Sequence, residues 1–241
     1  MRFTICAAIA AAVATTASAD TVRLQYQSLG ANRSVDVTLS GNTFTVHAGQ
    51  LMHSFSQGNG VAAYLNGQTR ATFCTDLTES VSSGGSIYTV APIANLPQTA
   101  GYPAMGATRA QAVYNLFSAA GGAQFASGAT SDFAAAFQIA LWEIVYDYSG
   151  SASSLNVTSG TFRAHQVGGA NLTSAVMTNV TSLFNAITSM SNVPQTGLLG
   201  LTSNGCQDQL VNIDVVPLPA GAFAGMLGLG LAFGARRLRR A

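Results

Sequence analysis

The sequence predicts an α+β fold. Strands near both ends of the chain build a β-sandwich or barrel-like body, a mainly helical insert lies between them, and a C-terminal transmembrane helix follows. Three observations carry this expectation. Residues 21–90 and 197–215 show partial period-two alternation interrupted by turns containing Gly and Asn. Residues 108–190 switch to helical spacing. Residues 218–235 carry no charge and run into a terminal cluster of arginines.

In chain order, Met1 and Arg2 give a positive start, residues 5–14 are apolar, and Ala17-Ser18-Ala19 is a small-residue cleavage pattern. These are the parts of a secretory signal peptide, cut between Ala19 and Asp20. The apolar run is too short to span a bilayer. Residues 22–26, 35–39, 44–47, 71–74 and 86–90 read as strands, with Gly41-Asn42 and Gly84-Gly85 as turn signals. Thr108 with Gln111 fits a capping box, and Ala110, Val113, Tyr114 and Phe117 follow at helical spacing until Gly121-Gly122. A second helix starts at Ser131 or Asp132, runs to about Tyr148, and is apolar enough to be buried. A third spans residues 171–190, with Leu172, Val176, Val180, Leu183, Phe184 and Ile187 in one stripe. Residues 197–201 and 209–215 return to strand, and the terminal strands can share a sheet. The chain thus divides into a leader (1–19), an α+β body (20–215) and a tail (216–241).

Composition narrows the function. All ten basic residues are arginine, and the chain has no lysine. Residues 20–216 hold five arginines against nine acids, a net charge of −4, so no basic face for nucleic acid is present. His47, His53 and His165 lack metal-ligand spacing, and a surface place on strand or loop is expected for the first two. Asp76 and Glu79 are too few for a calcium site, and Tyr64, Tyr88 and Tyr114 read as core or edge aromatics. No metal or cofactor is expected.

The tail has three consecutive parts: Val216-Pro217-Leu218-Pro219-Ala220, an uncharged stretch from Gly221 to Ala235, and the arginines Arg236, Arg237, Arg239 and Arg240. As a helix, residues 218–235 cover about 27 Å, close to the hydrocarbon thickness of a bilayer. The arginines then stop transfer and hold that end in the cytoplasm. This tail resembles the VPLPA variant of the PEP-CTERM sorting signal. The resemblance implies recognition by an exosortase-type processing enzyme in the inner membrane, cleavage near the Pro-rich motif, and display on the surface or in the extracellular matrix of a Gram-negative bacterium. A plain transmembrane anchor is the alternative.

Two pieces of the body carry candidate chemistry: Phe73-Cys74-Thr75-Asp76-Leu77 and the helical run from Ala135 to Ile144. On that helix the neighbours of Gln138 are Ala134, Ala135, Leu141 and Trp142, so its amide is alone on an apolar arc. Glu143 lies about 140° round and is expected to face water together with Asp147. A buried amide without partners costs on the order of 1–3 kcal/mol. Gln138 therefore either bonds a neighbouring backbone or has a covalent partner. A cysteine sulfur can attack the glutamine carbonyl and expel ammonia, leaving an internal thioester for an outside nucleophile to open. An apolar shell protects it from water.

Phe73-Cys74 and Gln138-Ile139-Ala140-Leu141-Trp142-Glu143 resemble the thioester domain of bacterial Cys–Gln surface proteins and of PEP-CTERM proteins carrying that module. The resemblance covers roughly residues 70–150. It implies a barrel or sandwich with a helical insert, a Cys74–Gln138 cross-link, shielding by Phe73, Phe137 and Trp142, and attachment to an unknown surface or matrix nucleophile. Phe137 stands where the adhesins usually have Thr. Such a protein is not a turnover enzyme, because the acyl group is consumed. The rival expectation is a non-reactive extracellular-matrix protein with a Cys74–Cys206 disulfide closing a long loop. A cysteine hydrolase with a distant histidine is a third.

Overall fold

The computed structural model describes residues 19–99 and 101–213. Most of the leader, the sorting motif, the apolar tail and the terminal arginines lie outside the described residues. No helix among those described is long and apolar enough to cross a membrane. The architecture of the described residues is α+β, as expected, with an antiparallel sheet and three α-helices.

The strands are β1 (Thr21–Leu39), β2 (Asn42–Ser56), β3 (Thr69–Cys74), β4 (Ser86–Ala91), β5 (Phe162–Gln166), β6 (Leu198–Ser203) and β7 (Cys206–Asn212). Their hydrogen-bonded order runs β2-β3-β7-β6-β4-β1 and returns to β2, because β1 also pairs with β2. The pairing therefore closes into a six-stranded ring, which leaves these strands few open edges. The outer half of the long β1–β2 hairpin projects from the ring and takes β5 beside it, pairing Val35 with Gln166 through Leu39 with Phe162. Ser40 and Gly41, both with positive φ, make the two-residue turn whose twist suits such a hairpin.

Where the hairpin leaves the ring, its register slips between Leu29 and Asn32. Such bulges bend the strand that carries them. Gly49 lies opposite this bend with φ of 141°, and a side chain there would collide with the Ala31 carbonyl. Two cores result. Val22, Leu24, Phe55, Tyr88, Leu201 and Val211 fill the ring, with Ala62 and Leu65 from a short 3₁₀ turn. The larger core lies between the projecting strands and the helices.

The helices are α1 (Gly106–Ala120), α2 (Ser131–Tyr146) and α3 (Ser174–Ser189). All of α2 from Ala134 to Val145 is buried, because it packs on β1, β2 and β5 on one side and on α1 and α3 on the other. The expected stripe of α3 faces inward at Val176, Val180, Leu183 and Ile187.

Several details differ from the sequence expectations. The capping box at Thr108 does not form; α1 begins at Gly106, and the Gln111 amide instead donates to the Val193 carbonyl. Residues 22–26 and 35–39 belong to one continuous strand, and β5 had no counterpart among the expected strands. His53 is buried within the ring wall rather than on the surface, against Thr72 Oγ1 at 2.9 Å. Glu143 does not face water, because the segment before β5 folds over it and the Asn156 N–H donates to its Oε1 at 2.7 Å.

Candidate functional site

The candidate site forms where β3 ends against the middle of α2. Three features fix α2. Thr130 Oγ1 accepts from the Phe133 N–H at 3.2 Å and caps its N-terminus. Asp132 lies in the first turn, where a carboxylate suits the helix dipole, and Arg33 Nε donates to it at 2.8 Å. At the far end Asp147 accepts from the Phe162 N–H at 2.9 Å, tying the helix to β5. A polar side chain at Gln138 therefore sits in one fixed place in the core.

That place is the backbone of Cys74. The β2–β3 ladder reaches its last pair at Leu51 and Thr72, after which β2 turns away. On its other side β3 continues to pair with β7, Cys74 with Gln209, and Thr75 N–H donates to the Asp208 carbonyl. The β2-facing groups of Cys74 would be left without a strand partner, and the Gln138 carboxamide takes that position. The Cys74 N–H donates to Gln138 Oε1 at 3.1 Å, and Gln138 Nε2 donates to the Cys74 carbonyl at 2.8 Å. The amide is satisfied by a neighbouring backbone, and that backbone belongs to the cysteine.

Cys74 and Gln138 both open onto a cleft of about 430 Å³, and Trp142 lines it with them. Trp142 and Gln138 are each 1% exposed and Cys74 is 4% exposed, so the pair lies at the closed end. The β1–β2 hairpin contributes Tyr26, Phe44 and His47 to the walls, and the loop after β3 contributes Leu77 and Glu79. Phe73 and Phe137 are not among the lining residues. They face each other at 4.7 Å and meet Phe125 behind the cleft, because adjacent strand side chains point to opposite faces. Of the three residues expected to shield the pair, Trp142 lies at the cleft and the two phenylalanines act through packing.

Electrostatics hold the sulfur as a thiol. Burial pushes the Cys74 pKa far above the usual thiol range, and the Asp76 charge adds to this. The Trp142 indole opposes the shift, although its N–H makes no formal hydrogen bond. Asp76 is itself buried, and it organises the loop: Oδ1 accepts from the N–H groups of Thr78 and Glu79, and Oδ2 accepts from Thr99 Oγ1 at 2.9 Å. Tyr146 Oη accepts from the Leu77 N–H at 3.0 Å, tying the same loop to α2.

This arrangement suits acyl chemistry between the two side chains. A donor on Oε1 polarises the carbonyl and is placed to stabilise an oxyanion there. The nitrogen that would leave is held by the Cys74 carbonyl. Neither Cys74 nor Cys206 is in a disulfide. Cys206 is three residues along β7 from Gln209, the partner of Cys74, which puts the two cysteines about 10 Å apart along the strand. A disulfide needs Cα atoms within roughly 7 Å, so the expected rival pairing does not fit this fold. Cys206 instead lies 3.3 Å from Ser86 Oγ.

A second cleft, of about 500 Å³, lies between β3 and the turn after α1 and includes Gln50, Arg70 and Phe125. Its lining contains no Cys, His, Asp or Glu, so the smaller cleft is the better candidate for covalent chemistry. Among the described residues, no three His, Cys, Asp or Glu side chains converge as a metal site. Sequence reasoning missed His47 and Tyr26 as cleft residues because the hairpin bend that brings them there is a long-range feature, and Glu79 because the loop after β3 is placed by its contacts with Asp76 and Tyr146. Set against known proteins, the chain matches no family model, no curated protein and no solved structure.

Proposed function

We propose that this is an exported, surface-anchored protein that attaches to an external target or matrix through a Cys74–Gln138 thioester. The observation that carries the reading is the clasp of the Gln138 carboxamide by the Cys74 backbone at the closed end of an apolar-walled cleft. In the forming step the Cys74 sulfur bonds to the Gln138 side-chain carbonyl carbon. The carbon–nitrogen bond breaks, and the thiol proton leaves with the nitrogen as ammonia. In the consuming step an outside nucleophile takes the acyl group and the thiol returns. One acyl group is spent per chain, so this is attachment and not turnover.

The sorting proposal stands on the sequence. The leader and the VPLPA-type tail support export, handling by an exosortase-type enzyme in the inner membrane, and display outside the cell. The ladder of β1 begins at Thr21, and Asp20 Oδ2 accepts from the Val61 N–H at 2.8 Å, so a chain cut after Ala19 keeps every residue of that first strand.

The rival is a matrix protein without a reactive bond, which the satisfied Gln138 amide would also serve. Intact mass and peptide mapping of protein recovered from its native cells separate the two. The expected result is a mass short by one ammonia, a linked Cys74–Gln138 peptide, and a single methylamine adduct at Gln138 after exposure to that amine. Cys74→Ala and Gln138→Ala abolish all three. A folded protein of full mass that ignores methylamine overturns the thioester and leaves the structural reading.

A further inference from the structure

We propose that His47 is the general base and acid that opens the Cys74–Gln138 acyl group to an incoming nucleophile, an inference that rests on the thioester reading above. The first support is position. His47 lies on the exposed rim of the cleft that has Cys74 and Gln138 at its closed end, so a nucleophile entering from solvent passes it.

The second support is the tautomer, which the surrounding hydrogen bonds assign. Asn32 Nδ2 donates to the Gly30 carbonyl at 2.7 Å, and this fixes which way the Asn32 amide points. Its Oδ1, which can only accept, then faces His47 Nδ1 at 3.1 Å. Nδ1 must carry the proton in that contact, and Ser34 Oγ lies 3.3 Å from the same nitrogen. In the neutral ring Nε2 then holds the lone pair, which is the form a base requires. A carboxamide or carboxylate on the second ring nitrogen is a common way to hold an imidazole for proton transfer. Asn32 comes alongside His47 by the regular register beyond the slip, Asn32 with Gly49 and Ser34 with His47, which sets the two side chains diagonally on one face.

The third support is need. Cys74 lies buried beside Asp76, which disfavours a departing thiolate. A leaving sulfur in that setting requires a proton. His47 Nε2 takes one from the attacking nitrogen or oxygen as the new bond to the Gln138 carbonyl carbon forms. It returns that proton to sulfur as the carbon–sulfur bond breaks, so the ring ends unchanged. Two other titratable side chains border the cleft. Tyr26 comes from β1, and Glu79 comes from the loop after β3, where burial and the Asp76 charge raise its pKa. Neither has an orienting partner comparable to Asn32.

The test uses the full chain and methylamine, with adduct formation at Gln138 followed by mass over time. His47→Ala and His47→Gln are expected to retain the ammonia loss that reports a folded, linked site. They should label at least tenfold more slowly than the parent, and added imidazole should restore much of the rate to His47→Ala. General acid–base groups typically contribute about 10²–10⁴-fold, so tenfold is a low threshold. Linked His47 variants that label at the parental rate overturn the assignment to His47 and leave the thioester standing. So does slowing by Glu79→Gln alone. A parent chain with no ammonia loss removes the thioester reading itself, and this proposal with it.

Discussion

Glu143 and His53 are two buried ionisable side chains that the fold holds in their neutral forms. Glu143 is fully buried, with Oε2 lacking a partner, and burial followed by the nearby Asp147 charge raises its pKa to about 8 against the opposing Asn156 N–H. Its folded pKa lies above the unfolded one, so the native state binds more protons between about 4.5 and about 8. Stability therefore falls as pH rises through that window. His53, with Nε2 unpartnered, has its pKa lowered by burial to about 4. The native state then binds fewer protons than the unfolded chain between about 4 and 6.5, and stability falls as pH drops through that window. The two slopes oppose each other from about 4.5 to 6.5 and only that of Glu143 remains above 6.5, so thermal melts across pH 4 to 9 should show stability falling from about pH 6.5 to 8. Glu143→Gln should flatten the alkaline limb above about pH 6.5 and make stability rise more steeply with pH between about 4.5 and 6.5, where His53 is no longer opposed. An alkaline limb unchanged in that variant would mean that Glu143 is not the group being charged. His53 was legible in the sequence and overlooked: Leu51, His53 and Phe55 alternate, and the two apolar neighbours set which face is inside. Glu143 was not legible, because helical spacing from Gln138 gives an angle and says nothing of the later segment that covers it. The same limit applies to Cys74 and Gln138. Their residue types suggested a pair, and only the early end of the β2–β3 ladder shows why the amide sits on that backbone.

Among the elements, the ones with strong local patterns were legible and the ones defined by partners were not. The apolar α2 and the striped α3 have the positions their spacing implies to within a few residues. The strand β5 alternates buried Phe162 and Ala164 with Arg163 and His165, but over five residues only, and it exists because β1 offers a free edge from Val35 to Leu39. The expected capping box in α1 failed because Gln111 finds a better partner in a loop far along the chain. Close approach of elements shows the same dependence on context. Gly200 on β6 faces Ala91 on β4, and a Cβ at Gly200 would come within 2.7 Å of the Ala91 carbonyl oxygen and 2.8 Å of Leu96 Cδ1. Overpacking of this kind costs typically about 1–3 kcal/mol. Gly200→Ala should lower the urea midpoint accordingly, with the slope unchanged. The same change at Gly205 in the adjoining hairpin, where nothing lies within 4 Å, tests strain instead, because its φ is 76°. If Gly200→Ala is neutral, β6 does not sit as tightly on β4 as the ring requires.

At the scale of the whole molecule, the ring draws its strands from both ends of the described chain, and the helical insert sits between β4 and β6. The proposed acyl site lies at the seam of the two, on a ring strand and an insert helix, so it forms only when the whole chain has folded. A thioester made in this way must survive among many copies of its own chain. The sequence bears on that survival, since none of its 241 residues is lysine. Amines open thioesters readily, and a chain without ε-amino groups offers its neighbours only its α-amine and weaker nucleophiles. Concentrated protein should therefore remain a covalent monomer by mass after reduction of disulfides, while a lysine-bearing bystander protein is captured at Gln138. Val167 is 54% exposed in the turn after β5 and does not line the cleft, and Val167→Lys supplies the missing group. That variant should form dimers on incubation, each linked from Gln138 of one copy to the introduced ε-amine of another. Linked dimers in the parent chain, joined through a side chain other than lysine, would show that the composition protects nothing. An unlinked Val167→Lys variant that still captures methylamine would show that the cleft, and not the missing lysine, keeps copies apart.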